Sequence, residues 1–168
     1  LLTACQKEDV IVQSLFDLSG ARLTYDDSQA TKFLNVVAVS MKVSRTKEDN
    51  IEQIKNICFM AVKEHPNTEL VLFGESILGW YIDEYNPESY QKSIAETIPG
   101  PAVNAIAQIA DSLNIYVAFG LTEINNNNLY NSQVVLNPQG ELQAVHRKIN
   151  LTPEDEKNGI LAWSKTDE

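Results

Sequence analysis

The stretch Glu69-Leu70-Val71-Leu72-Phe73-Gly74-Glu75 decides the fold class. Four apolar residues in succession, too few for a helix, mark a buried strand, and Gly74 ends it. Upstream, Ile51, Ile54, Ile57/Cys58, Ala61 and Val62 recur at helical spacing. That pattern stops at His65-Pro66, because the residue before a proline is driven out of the helical region. Thr46 with Asp49 three residues on resembles a capping box, Asp standing in for the usual Glu, and predicts where this helix starts. Before it, Phe33–Met41 is rich in β-branched residues and reads as another buried strand. Downstream, a short helix is predicted near Pro87–Glu96, and Gly100-Pro101 opens a longer one with proline in its first turn. Val103, Ile106, Ala110 and Leu113 form its apolar face, and Ile115–Phe119 is a third strand. Turns at 125–128 and at Asn137-Pro138-Gln139-Gly140 then separate the strands Leu129–Leu136 and Glu141–Arg147. The order β-α-β-α-β-β-β predicts an α/β fold, a mixed sheet layered with helices.

Composition sets the outer limits. The chain has 168 residues, within the range of one domain, and its 43% hydrophobic content suits a packed core. Thirteen basic against 23 acidic residues give a net charge of −10 and a pI near 4.6. That balance argues against nucleic acid and against an anionic membrane surface as partners, since both attract basic patches. No apolar run approaches the roughly 18 residues needed to span a bilayer. Cys5 and Cys58 have neither zinc-site spacing nor a disulfide framework.

Residues 1–32 read as a leader and tether, and residues 33–168 as the folded domain. Leu2-Thr3-Ala4-Cys5 resembles a bacterial lipobox, in which small residues precede a cysteine that is lipidated and becomes N-terminal. The resemblance implies an anchor at Cys5 on the bacterial cell envelope; without lipidation the location would be cytoplasmic. Membrane attachment would then come only through the lipid.

In open α/β sheets reactive groups gather beyond the carboxyl ends of the strands. Glu75 and Lys148 each directly follow a predicted strand or its closing glycine. Such a pair can act as base and oxyanion stabiliser, although a strand-end glutamate is more often solvated or paired with a surface cation. Further blocks accompany the two: Gly79-Trp80-Tyr81, Ile98-Pro99-Gly100-Pro101, Phe119-Gly120-Leu121-Thr122-Glu123, Leu129-Tyr130-Asn131-Ser132, Asn137-Pro138-Gln139-Gly140-Glu141 and Arg147-Lys148-Ile149-Asn150-Leu151. In this order they resemble the N-terminal half of the nitrilase superfamily, the carbon–nitrogen hydrolases.

That resemblance implies half of an α-β-β-α sandwich. It implies hydrolysis of an amide, carbamoyl or nitrile substrate through a cysteine thioester, with Glu75 as base, Lys148 as oxyanion stabiliser and a supporting acid after the lysine. Spacing within Glu154-Asp155-Glu156 favours Glu156 for that last role, with Glu154 next. Partial burial is expected to raise the pKa of Glu75. No cofactor or metal is implied, the partner is a small-molecule substrate, and family members commonly form homo-oligomers when full length. Gly74 departs from the proline usual before the glutamate. The family's nucleophilic cysteine follows the lysine by a few tens of residues, whereas this chain stops 20 residues beyond Lys148. Cys58, on an apolar helix face, reads as a packed thiol, so the nucleophile is expected beyond Glu168 and this segment alone is expected to be inactive.

Trp80, Tyr81 and Tyr85 follow Glu75 closely enough to line a substrate pocket, or simply to pack. His146 reads as a packing or surface residue. Two other readings share the same residues: an envelope-anchored or degenerate ligand-binding protein without chemistry, and an amide-forming acyltransferase, since a thioester can be attacked by water or by an amine.

Overall fold

A computed structural model describes residues 2–4, 32–81 and 85–163, the first three as backbone only. Cys5 and the remainder of the leader, apart from residues 2–4 and Lys32, lie outside the described residues. The elements are β1 (Leu2–Ala4), β2 (Val36–Val39), α1 (Lys47–Glu64), β3 (Leu70–Leu72), α2 (Pro87–Ile94), α3 (Pro101–Leu113), β4 (Tyr116–Asn125), β5 (Asn128–Leu136), β6 (Leu142–Arg147) and α4 (Pro153–Lys157). The six strands form one sheet in sequence order. β2, β3 and β4 run parallel, as helical crossovers require, while β1 pairs antiparallel to β2 and the β4–β5–β6 hairpins are antiparallel. The sheet is therefore mixed, as the element order predicts.

Helices α1 and α3 supply one layer. Ile54, Cys58 and Ala61 of α1 and Val103, Ile106 and Ala110 of α3 pack with Val37, Val71, Val117, Phe119, Leu121 and Val134 of the strands. Each strand contributes alternate residues, because successive side chains point to opposite faces. The register on the other face is equally regular: Ala38, Leu72, Ala118, Val135 and Ala144 stand side by side across five strands. Leu72 in this row keeps 38% of its surface exposed. The strand around Val71 is thus buried on one face only, contrary to its uniform apolar sequence. A row of apolar residues of this kind has the composition of a surface meant for another layer.

Two local features differ from expectation. α1 starts after Thr46 as predicted, but the Thr46 side chain makes no capping hydrogen bond to the helix. The full capping box forms instead at α4, where Thr152 and Asp155 exchange side-chain and backbone bonds. α4 is five residues long, too short to show helical periodicity in the sequence.

Candidate active site

Glu75 is delivered by a segment laced to β4. Beyond Leu72 the chain keeps pairing: Phe73 N donates to Ala118 O at 2.8 Å, Gly120 N to Gly74 O at 3.1 Å, and Ile77 N to Gly120 O at 3.0 Å. Between them Ser76 takes a left-handed φ of 51°, which turns the chain immediately after the glutamate. Gly120 makes the approach possible. A Cβ there would lie 2.7 Å from Ser76 N and 2.8 Å from the Glu75 Cα, both backbone atoms that cannot step aside.

Lys148 is delivered by the end of β6. Its backbone N–H donates to Asn131 O at 2.8 Å, extending the β5–β6 ladder by one residue. The preceding Arg147 anchors the strand from the opposite face. Its guanidinium donates two hydrogen bonds to buried Glu123 and lies 4.9 and 4.5 Å from the ring centroids of Tyr130 and Trp163. With Arg147 held on the helix side, the alternation of the strand sends Lys148 to the other side, where Glu75 stands.

There the Lys148 Nζ is 3.0 Å from Glu75 Oε1 and 3.0 Å from Asp155 Oδ2. Asn131 Nδ2 donates to Glu75 Oε1 and, at 3.2 Å, to Asp155 Oδ1. Tyr81 OH donates to that same Asp155 oxygen. The Thr152 N–H and hydroxyl donate to Asp155 Oδ2 at 2.7 and 2.9 Å. One cation and one amide thus bridge two carboxylates, above a cavity of about 240 Å³ lined by Glu75, Asn131, Gln133, His146 and Lys148.

The two acids differ electrostatically. Burial disfavours the charge on Glu75, but hydrogen bonds from Lys148 and Asn131 and the positive charge of Lys148 outweigh it, so the carboxyl sits below its ordinary value. The expected rise is therefore not found: desolvation is the largest single influence on this half-exposed side chain, but the lysine and the asparagine together outweigh it. Asp155, with a fully buried side chain, goes the other way. Burial pushes it up, the Thr152 backbone N–H pulls it down, and the negative charge of Glu75 raises it further.

Of the residues singled out in the sequence, Glu75 and Lys148 meet directly, and Tyr81 reaches them through Asp155. Glu156 does not. It is exposed on α4, while its neighbour Asp155 is buried against Lys148. One residue along a helix is a turn of about 100°, and the capping box fixes which acid faces inward. Glu154 is only partly buried and forms no bond to the lysine. Trp80 stays outside the cavity: 43% exposed, it donates its indole N–H to Val43 O at 3.1 Å and stacks 5.1 Å from Arg45. Tyr85 is almost wholly exposed. Cys58 is buried, and desolvation pushes its thiol up to about 12, which suits packing and not attack. Among the described residues no group of three His, Cys, Asp or Glu side chains is placed to hold a metal ion.

Asn131 and Asp155 are the residues that sequence reasoning missed. The signals for them were present: the period of two along β5 puts Asn131 on the Gln133 face, and Thr152-Pro153-Glu154-Asp155 is itself a capping-box pattern. A contrast between neighbouring acids tests the assignment. Asp155→Asn is expected to loosen Lys148 and shift its side-chain NMR signals, because the ammonium 3.0 Å away loses a charged partner, and Glu156→Gln to leave them nearly in place.

A family model described as carbon–nitrogen hydrolase matches residues 34–166. Omega-amidase NIT2 of Mus musculus is 31% identical over 114 residues, covering 67% of this chain and 39% of the relative. A formamidase of a Bradyrhizobium species is 31% identical over 121 residues, covering 70% of this chain and 34% of the relative. The chain therefore spans between about a third and two-fifths of the length of these relatives. Among solved structures, an N-terminal amidase superposes with a TM-score of 0.68 at 21% identity, over 77% of this chain and 31% of that one. A carbon–nitrogen hydrolase from Helicobacter pylori G27 gives 0.64 at 18% identity, over 79% and 45%. These structural matches bear on the fold alone.

Proposed function

The chain belongs to the carbon–nitrogen hydrolase family, and on that premise we propose that it supplies the base and the oxyanion-stabilising half of an amide-hydrolysing site. A cysteine from a segment outside these 168 residues provides the nucleophile, and the apolar row in which Ala38, Leu72 and Ala144 stay exposed receives the layer that carries it. One observation bears most of the weight: Glu75 and Lys148, 73 residues apart in the chain, meet at 3.0 Å over a shared cavity. A chance surface pair would not also be splinted by a buried asparagine and a buried aspartate.

The chemistry follows from these groups. The thiol proton passes to Glu75 as sulfur attacks the carbonyl carbon, and the resulting oxyanion takes a hydrogen bond from the Lys148 ammonium. Glu75 then hands the proton to the leaving amine, giving a thioester, and afterwards takes a proton from the water that attacks it and returns that proton to the departing thiolate as the acid is released. Asp155 keeps Lys148 extended toward the cavity, and Asn131 holds Glu75 Oε1, leaving Oε2 for the proton. Covering the cavity would deepen the burial that already works against the Glu75 charge and so bring the carboxyl closer to a base active near neutrality.

The test is to incubate the intact protein with short primary amides, follow ammonia release, and quench during turnover for intact-mass analysis. Ammonia release together with a mass increase of one acyl group on a cysteine is expected. Binding of amides with neither ammonia nor an adduct would instead favour a ligand-binding protein, and transfer of the acyl group to an added amine in preference to water would favour an acyltransferase.

A further inference from the structure

Gln133 and His146 take no part in this chemistry, yet both line the same cavity. They face each other on adjacent strands, Gln133 of β5 opposite His146 of β6. Each stands two residues along its strand from a member of the reactive group, Asn131 and Lys148, and so shares its face. The reactive side chains are tied to one another: Lys148 to both carboxylates, and Asn131 to both as well. By contrast the Gln133 amide and the His146 ring form no side-chain hydrogen bond among the described residues. Gly120 keeps the space beside Gln133 clear, since a Cβ there would come within 3.0 Å of the Gln133 Oε1.

We infer that Gln133 and His146 form the recognition end of the cavity and read a neutral hydrogen-bonding group on the part of the substrate that does not react. A carboxamide side chain offers donors and an acceptor together, and the imidazole ring adds two further nitrogens that can hydrogen-bond. An apolar substrate group would cover them without satisfying them, which costs affinity in proportion to the bonds lost. An anionic group would approach a cluster in which two carboxylates face a single ammonium. A neutral amide, urea or hydroxyl matches both conditions. The use of this end in turnover rests on the hydrolase reading; its binding does not.

Three nearly isosteric amides separate the possibilities: malonamide is neutral and polar, malonamate carries a carboxylate, and isovaleramide is apolar. The intact protein carrying Glu75→Gln, which is expected to hold an amide without turning it over, is labelled for NMR and titrated with each at millimolar concentration. Malonamide is expected to shift the Gln133 side-chain amide and His146 ring signals, and the other two to leave them nearly in place. Gln133→Leu and, independently, His146→Leu are expected to remove the preference. Equal responses to the three, or a stronger response to malonamate, would overturn the inference. In the intact enzyme kcat/KM for malonamide is expected to exceed that for isovaleramide by about 100-fold, falling below about 10-fold in either variant. Selective binding without ammonia release would remove the hydrolase reading and leave this one standing. Hydrolysis of both amides with equal kcat/KM would do the reverse.

Discussion

Glu75→Gln in the intact protein is expected to lower kcat by about 10³–10⁴-fold while leaving the fold in place. The two halves of that expectation have separate origins. Glutamine keeps an acceptor oxygen of the same reach, so the hydrogen bonds from Lys148 Nζ at 3.0 Å and from Asn131 Nδ2 can survive. The side chain is also more than half exposed, and little packing depends on it. What the amide cannot do is accept a thiol proton, return it to the leaving amine and activate water. Unchanged circular dichroism with ammonia release below a thousandth of wild type is the expected pair of readings. Turnover within tenfold of wild type would remove Glu75 as the base.

Lys148→Met is expected to cost both rate and stability. Loss of the ammonium removes the proposed oxyanion donor, worth about 10²–10³ in kcat. It also leaves the buried Asp155 facing Glu75 with no cation between them, a penalty of about 1–3 kcal/mol at neutral pH. The pH dependence of that penalty has a definite sign. A carboxyl whose folded-state pKa lies above its unfolded value favours folding when protonated, so stability falls as pH rises between the two values. Asp155 is already raised in the wild type, and loss of the ammonium 3.0 Å from its carboxylate is expected to raise it further. Urea denaturation should therefore find the variant most destabilised near pH 7, with the gap narrowing as pH falls toward the carboxylate range. A constant difference across that interval would mean that Lys148 and Asp155 are not electrostatically coupled.

The parts of the fold legible in the sequence were those set by a local rule. The Ile51–Val62 repeat, the Pro101 start of α3 and the Asn137–Gly140 turn each translate directly into the observed element, because one local rule decides each of them. Glu75 and Lys148 were legible as strand-end groups for the same reason. The inward acid was not, because spacing along the chain cannot say which face of a one-turn helix is buried; the hydroxyl of Thr152 decides that, and it selects Asp155 over Glu156. The lowered Glu75 carboxyl was illegible as well, since it depends on a cation and an amide arriving from β5 and β6. Trp80 looked like a pocket residue by proximity to Glu75, yet an aromatic ring goes where its polar edge is satisfied, here the Val43 carbonyl.

The most direct test is the titration of the Glu75 carboxyl, followed by carbon-detected NMR in the 168-residue chain and in its Lys148→Met variant. If glutamate and lysine share one cavity, the wild-type midpoint lies below the ordinary glutamate value of about 4.3 and the variant midpoint lies above that of the wild type. The same midpoint in both proteins would mean that the two side chains do not meet.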